Sequence, residues 1–237
     1  MSAKKLLDAS QRVPNIRAAK RRWIAVSLLI GALVGCNKSD NNPPTAAING
    51  GVKEEAASTV RPAEKPPVNL QPIVKVHTSS GDFTLQLDAK AAPLSVDNFL
   101  SYVNSGRYDG TIFHQAYHDF ILLGGGFDAQ FKQLPTEPPV RNEAHNRAKN
   151  LRGTIALARQ PNAIDSAAAQ FFINLADNPS LDFADYEPDK YGYCVFGQVI
   201  EGMDVVDRIA KGEVHNTQQF ENVPLEPVVI ESMRCVK

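Results

Sequence analysis

Three cysteines, three methionines and one tryptophan are all that 237 residues contain of these types, and the scarcity of sulfur closes off some chemistry at once. Cys36, Cys194 and Cys235 repeat no spacing, so neither a zinc ribbon nor a CxxC redox centre can be built from them. Long apolar runs are missing too. The segment from Trp23 to Val34 is 12 residues long and would reach only about 18 Å as a helix, against roughly 30 Å of bilayer hydrocarbon. A basic excess is absent from most of the chain: the first 35 residues hold seven Lys or Arg and one acid, which leaves 18 basic against 25 acidic residues, a net charge of −7. That balance argues against a nucleic-acid footprint. No internal repeat is present. What remains, 43% hydrophobic and 22% charged, is an ordinary soluble composition with room for one good core plus extensions.

The basic excess has a place. Lys20, Arg21 and Arg22 precede the apolar run, which ends in Leu33-Val34-Gly35-Cys36; this reads as a secretory signal over residues 1–35. Leu-Val-Gly-Cys also resembles the bacterial lipobox, in which the cysteine is diacylated and becomes the first mature residue. The reading is therefore a periplasmic protein anchored to a bacterial membrane through lipid on Cys36, the alternative being an ordinary signal that leaves a soluble periplasmic protein. The 22 residues before Trp23 are long for the basic leader of such a signal. Export would expose Cys194 and Cys235 to an oxidising compartment where a disulfide can form, although spacing does not decide whether they meet. Cys194, within Tyr193-Cys194-Val195-Phe196, reads as a buried, inert thiol. From residue 36 to 71 the chain is rich in Pro, Ala, Asn and charge and cannot bury a core, so it is expected to be a flexible tether.

The domain is expected over residues 72–237. Ile73–Val76 and Phe83–Leu87 read as strands about the turn Ser79-Ser80-Gly81-Asp82, a β-hairpin. After Pro93, Val96, Phe99, Leu100 and Val103 recur at helical spacing, and Gly106 supplies the stop. Short strands are expected at Thr111–His114, Phe120–Leu123, Thr154–Ala158, Phe171–Asn174, Val195–Ile200 and Pro227–Ser232, with a second helix from Met203 to Ala210. Many short strands, two helices and no strand-helix alternation point to an antiparallel barrel or sandwich.

The densest cluster is "TIFHQAYHDFILLGGGFD" at 111–128, and its residues exclude several chemistries. The triple glycine lacks the Lys-Ser/Thr and the following helix of a phosphate loop. His114 and His118 stand four apart, but on strand and turn rather than helix, and without the Glu of a zinc-peptidase motif, so no metal is expected. Ser166 and Cys194 have no local base and orienting acid for nucleophilic catalysis. An apolar surface is left: Phe113, Phe120, Ile121, Phe171, Phe172 and Leu181. Strand alternation sends Phe171 and Ile173 to one face and Phe172 to the other, so one face can be core while the other lines a groove.

"GRYDGTIFH", "FILLGGGF", "RGTIALAR", "SAAAQFFIN" and "LDFADYEPDKYGYCVFGQVIEGMDVVDRI" together resemble the cyclophilins, the peptidyl-prolyl isomerase family, and in particular bacterial periplasmic members, from about Ile73 to Met233. The resemblance implies a mainly β fold, an eight-stranded antiparallel barrel capped by two α-helices, with a substrate groove on its outer surface. It implies no cofactor, proline-containing peptides and unfolded exported proteins as partners, and a monomer. The proline pocket would be Phe120, Ile121, Phe172 and Leu181, with His114, Ala158, Arg159 and Gln170 along the adjoining surface and Tyr193 at the rim where many members have His. Ser180 stands where members sensitive to the cyclic peptide cyclosporin have Trp.

Two positions depart from the family. Its Phe-His-Arg motif, which carries the catalytic Arg, is here Phe113-His114-Gln115, and the Gln that hydrogen-bonds that Arg is here Leu123. The resemblance gives the Arg the task of donating toward the prolyl nitrogen as the amide twists. Gln115 keeps an N–H donor, but it is neutral, shorter and unforked, so weak isomerase activity is expected; a prolyl-binding chaperone or interaction module without catalysis is the alternative. Arg159 is the one cation placed near the groove and reads as a solvated rim residue rather than a substitute for the missing guanidinium.

Overall fold

A computed structural model describes residues 69–236; the signal segment 1–35, Cys36 and the tether as far as residue 68 lie outside them. Backbone bonding of the domain begins at Leu70, whose carbonyl accepts from Ala89 N–H at 3.0 Å.

The first hairpin forms where apolar alternation requires it. In β1 (Ile73–Thr78), Val74, Val76 and Thr78 point inward, and β2 (Gly81–Leu87) pairs with it from Thr78–Gly81 to Ile73–Gln86. Gly81 adopts φ +119°, a conformation open to glycine and strained for other residues. α1 (Pro93–Asn104) buries Val96, Phe99, Tyr102 and Val103. It ends at Gly106, φ +68°, whose N–H bonds to Val103 O while Arg107 N–H bonds to Tyr102 O. This left-handed stop satisfies two of the orphan carbonyls. Its N-terminus has no capping side chain of its own; Glu143, far along the chain, accepts from the N–H groups of Leu94 at 3.1 Å and Ser95 at 2.8 Å.

β3 (Thr111–Tyr117) and β4 (Ile121–Asp128) make the second hairpin. The strand expected to stop at Leu123 runs on through Gly124-Gly125-Gly126 to Asp128. The glycines make room. A Cβ on Gly124 would lie 2.8 Å from the Phe113 ring, on Gly125 2.7 Å from Phe171, and on Gly126 2.6 Å from Gln170. β5 (Thr154–Leu157), β6 (Phe171–Asn174), β7 (Val195–Glu201), α2 (Met203–Lys211), β8 (Val214–His215), β9 (Val223–Pro224) and β10 (Val228–Val236) follow.

The eight expected strand segments are the staves of a closed barrel in the order β1-β10-β3-β4-β6-β5-β7-β2, antiparallel throughout. β8 and β9 pair only with each other and were not anticipated, being two residues each. α2 packs Val205, Val206, Ile209 and Ala210 inward, with Met203 partly buried beside them.

The barrel interior is aromatic. Phe171 meets Phe99, Tyr108 and Phe113 edge-on, at 5.6, 5.4 and 6.2 Å between ring centres. Phe113, read from the sequence as part of the apolar surface with Phe120 and Ile121, therefore belongs to the core. A fully buried ring of this kind contributes about 1.5–3 kcal/mol. Cys194 is buried beside Ser95, whose hydroxyl donates to Sγ at 3.3 Å, and burial pushes its thiol up to about 12; Cys235 is exposed, and both are free.

Candidate functional site

A second apolar cluster sits apart from the barrel interior, on the outer face of the sheet: Phe120, Ile121, Leu123, Ala156, Phe172, Leu181, Tyr193 and Val195. It is built from one row of cross-strand partners. Gln115 on β3 pairs with Leu123 on β4, Leu123 with Phe172 on β6, Phe172 with Ala156 on β5, and Ala156 with Val195 on β7. Side chains in register across a sheet share a face. The row is thus apolar from Leu123 to Val195 and polar at its β3 end. One step along the strands, Tyr117 pairs with Ile121 and Ile121 with Asn174.

The loop contributions are fixed by three buried asparagines that sequence reading missed. Asn178 Nδ2 donates to Phe120 O at 2.9 Å and Asn174 Oδ1 at 2.8 Å. Asn174 Nδ2 donates to Asn150 Oδ1 at 3.2 Å and Thr154 Oγ1 at 2.9 Å. Asn150 Nδ2 reaches Leu181 O at 3.0 Å. Tyr193 N–H also bonds to Leu181 O. A buried amide chain this well satisfied holds Phe120, Leu181 and Tyr193 against the row. The only sequence hint was polar amides bordering an apolar strand.

Of the expected pocket residues, Phe120, Ile121, Phe172 and Leu181 come together here, with Ala158 partly buried against them. Gln170 lies flat on Gly126, and its carbonyl accepts from Ala158 N–H at 2.9 Å. Tyr193, expected at the rim, is buried with its ring edge-on to Phe172 at 5.6 Å.

Arg159 and His114 depart from expectation as well. Arg159 is not a solvated rim residue and does not reach the β3 end of the row. It is buried, its guanidinium carbon 5.0 Å from the centre of the Tyr193 ring, and it donates to Gly192 O, Gln160 O, Pro161 O and Pro188 O at 2.8–2.9 Å. Its charge ties down the loop between Leu181 and Tyr193. His114, expected on the groove surface, is buried in a third cluster instead, 4.8 Å from the Phe127 ring and 5.5 Å from Phe220. His118 is exposed on the hairpin turn, so the pair that resembled metal ligands is split. Among the described residues no three His, Cys, Asp or Glu come together as a metal site.

At the polar end, Gln115 is buried, and its Nε2 donates to Glu221 O at 3.0 Å and to Tyr117 Oη at 2.9 Å. An amide nitrogen has two hydrogens; both are engaged. Gln115 therefore does not present the donor expected of it. Glu221 arrives on the loop before β9, and Asn222 O accepts from Ala116 N–H at 2.8 Å, which docks that loop on β3. Burial, and then the Glu221 charge, push the Tyr117 phenol up to about 12, against side-chain hydrogen bonds with Asn222 and Gln115.

The arrangement can hold an apolar ring and a planar peptide on a dry face, with neutral polar groups at one end. Among the described residues it offers no nucleophile paired with a base. Chemistry that breaks no bond fits it best.

Comparison with known proteins agrees. The family model described as cyclophilin type peptidyl-prolyl cis-trans isomerase matches residues 73–235. Peptidyl-prolyl cis-trans isomerase A of Dickeya dadantii is 49% identical over 164 residues, 69% of this chain and 84% of that protein. Peptidyl-prolyl cis-trans isomerase B of Escherichia coli is 45% identical over 161 residues, 68% of this chain and 98% of that protein. In fold, the chain is similar to a cyclophilin-type isomerase of Cryptosporidium parvum crystallised in the presence of the dipeptide Ala-Pro, with a TM-score of 0.58 at 22% identity over 70% of this chain and 99% of that one.

Proposed function

The chain belongs to the cyclophilin-type peptidyl-prolyl cis-trans isomerases, and from that premise we propose that it works on exported proteins, on the outer face of its barrel, at a rate lowered by Gln115. Isomerisation about the bond before proline is slow because the nitrogen lone pair is delocalised into the carbonyl, a barrier of about 20 kcal/mol that relaxes over tens of seconds. A catalyst must bind the twisted amide better than either planar form. The apolar row from Leu123 to Val195 would seat the proline ring by burial, and exclusion of water strengthens any hydrogen bond to the twisted nitrogen.

What supports the lowered rate is that Gln115, standing where the resemblance puts the family's Arg, has both its N–H groups already engaged. Loss of a preorganised donor typically costs about 10²–10³ in rate. The same observation favours a second reading, a prolyl-binding chaperone without turnover. A protease-coupled assay on a short prolyl peptide separates the two: acceleration above buffer, well below that of an Arg-bearing relative, supports the enzyme, and a buffer rate with peptide binding retained supports the second reading.

The export reading rests on residues 20–36 of the sequence. Lipid on Cys36 would hold the domain near a membrane surface through a tether of about three dozen residues, a span of a few nanometres on a random-coil estimate of about 5–6 Å times the square root of length. Mass spectrometry of the mature N-terminus tests it; an unmodified chain, or one starting elsewhere than Cys36, would dismiss the anchor.

A further inference from the structure

We propose that Glu221 makes the groove charge-selective, so that prolyl peptides carrying Lys or Arg next to the proline are preferred over those carrying Asp or Glu there. The preference rests on the reading of the outer apolar cluster as the prolyl groove, and it names the class of peptide that groove takes.

Where the resemblance puts a guanidinium, the chain has a neutral side chain that holds an acidic residue in place. Gln115 Nε2 donates to the Glu221 carbonyl at 3.0 Å, and Ala116 N–H donates to the Asn222 carbonyl at 2.8 Å, so two successive carbonyls of this loop are bonded to β3. The residue before them is fixed as well. Phe220 is buried 4.9 Å from the Phe127 ring and 5.5 Å from that of His114. Its N–H donates to Thr217 Oγ1 at 2.9 Å, and its carbonyl accepts from Thr217 N–H at 2.8 Å. Glu221 is therefore an exposed residue on an anchored backbone, a charge whose place is largely set before any peptide arrives.

Its field falls on the Gln115 end of the groove. Tyr117 packs against the outer apolar cluster and sets its ring edge-on to Phe120 at 6.5 Å. The phenol oxygen accepts from the same Gln115 amide, and the Glu221 charge acts on that phenol, helping to raise its pKa. No base answers the charge. Among the described residues Glu221 has no ion-pair partner, and three cations of segments bordering the cluster are engaged elsewhere. Lys149 pairs with Asp182 at 3.3 Å, Arg152 with Asp207 at 2.7 Å, and Arg159 donates to four backbone carbonyls. Arg147 is exposed, but it precedes Ala148, which lines a cavity with Val195 at the other end of the row.

A cation beside the bound proline is then attracted and an anion repelled, each by the modest amount that an exposed charge supplies through water. Burial of the ring still supplies the affinity, and the charge supplies selectivity and a faster approach.

The test measures, by calorimetry on the full chain, the affinity of acetylated, amidated prolyl pentapeptides of one sequence, with Lys, Gln or Glu at the residue before or the residue after proline. At low salt the Lys peptide is expected to bind about three- to tenfold more tightly than the Glu peptide at one of these positions or both, with Gln between, and the ratio should fall below about twofold at about 0.5 M salt. Glu221→Gln should bring the ratio below about twofold at low salt, and Glu221→Lys should invert it. Asp204→Asn, the same change of net charge at an exposed residue of α2, should leave the ratio as it is. Equal binding of Lys and Glu peptides at both positions, a ratio that survives Glu221→Gln, or one that Asp204→Asn lowers as much, overturns the inference and leaves the groove reading standing. Failure of the wild type to bind any of the peptides overturns both.

Discussion

Gln115 and Leu123 are direct partners across the β3–β4 ladder, and the amide of the first is bonded away from the second, to Glu221 O and Tyr117 Oη. The two positions therefore act as one unit. A guanidinium in place of Gln115 alone would lie against leucine, with donors unpaired at about 1–3 kcal/mol, and would also break the bond to the phenol. Gln115→Arg is accordingly expected to raise kcat/KM by less than about tenfold and to lower stability by about 1–3 kcal/mol, while Gln115→Arg with Leu123→Gln should gain about 10²-fold. Coupled assays and urea unfolding of the three proteins check this; an equal gain from the single change would show the two sites to be independent.

Arg159 offers a second test. Its four carbonyl acceptors tie Gln160 and Pro161 to Pro188 and Gly192 on the loop between Leu181 and Tyr193. Hydrogen bonds to a charged group are worth about 1.5–3 kcal/mol each but are not additive. Arg159→Met is expected to cost about 2–4 kcal/mol in urea unfolding and to open residues 182–192 to limited proteolysis. Arg159→Lys should recover less than half, because one ammonium cannot fork to four carbonyls on both sides. An unfolding midpoint unchanged in Arg159→Met would show that these bonds do not stabilise the loop.

That role was not legible in the sequence, and the reason is physical. Periodicity reports which face of an element is apolar, so the eight strand segments, the two helices and the split of Phe171 from Phe172 could all be read from it. Motif order then placed Phe120, Ile121, Phe172 and Leu181 together. What periodicity cannot report is where a long polar side chain finds its acceptors. Arg159 on backbone carbonyls, Glu143 capping α1, and Asn150, Asn174 and Asn178 chained beneath Phe120 and Leu181 all depend on contacts between distant segments. The continuation of β4 past Leu123 was hidden for a related reason: glycines are poor strand formers, and only the packed rings of Phe113 and Phe171 show that the missing Cβ atoms are needed for space.

Ser180 is exposed on the short 3₁₀ turn Pro179–Leu181, beside the apolar cluster. A hydroxymethyl group there offers a cyclic peptide such as cyclosporin little surface to pack on. Weak binding is expected, and Ser180→Trp should gain about tenfold, the return on roughly 60 Å² of added apolar contact at about 25 cal/mol per Å². Calorimetry with both proteins decides it; tight binding by the wild type would remove Ser180 as the determinant.

His114 makes stability depend on pH. Its ring is buried between Phe127 and Phe220, and among the described residues Nδ1 has no hydrogen-bond partner. Burial, opposed by a hydrogen bond with the Ile112 backbone, lowers its pKa from 6.5 to about 3. The unfolded chain therefore takes up a proton near pH 6.5 that the folded protein refuses until about pH 3. Stability is complete above 6.5 and falls as pH drops through that window, by about 1.4 kcal/mol per pH unit once well below 6.5. Between pH 6.5 and 4.5, above the range in which Asp109 and Asp207 titrate, both their pKa values being lowered by arginine partners, urea unfolding of the wild type should lose about 2–3 kcal/mol. His114→Leu, which fills much of the space without a titrating group, should lose less than about 1 kcal/mol over the same interval. An identical acid limb in the two proteins would mean that the proton is taken up elsewhere.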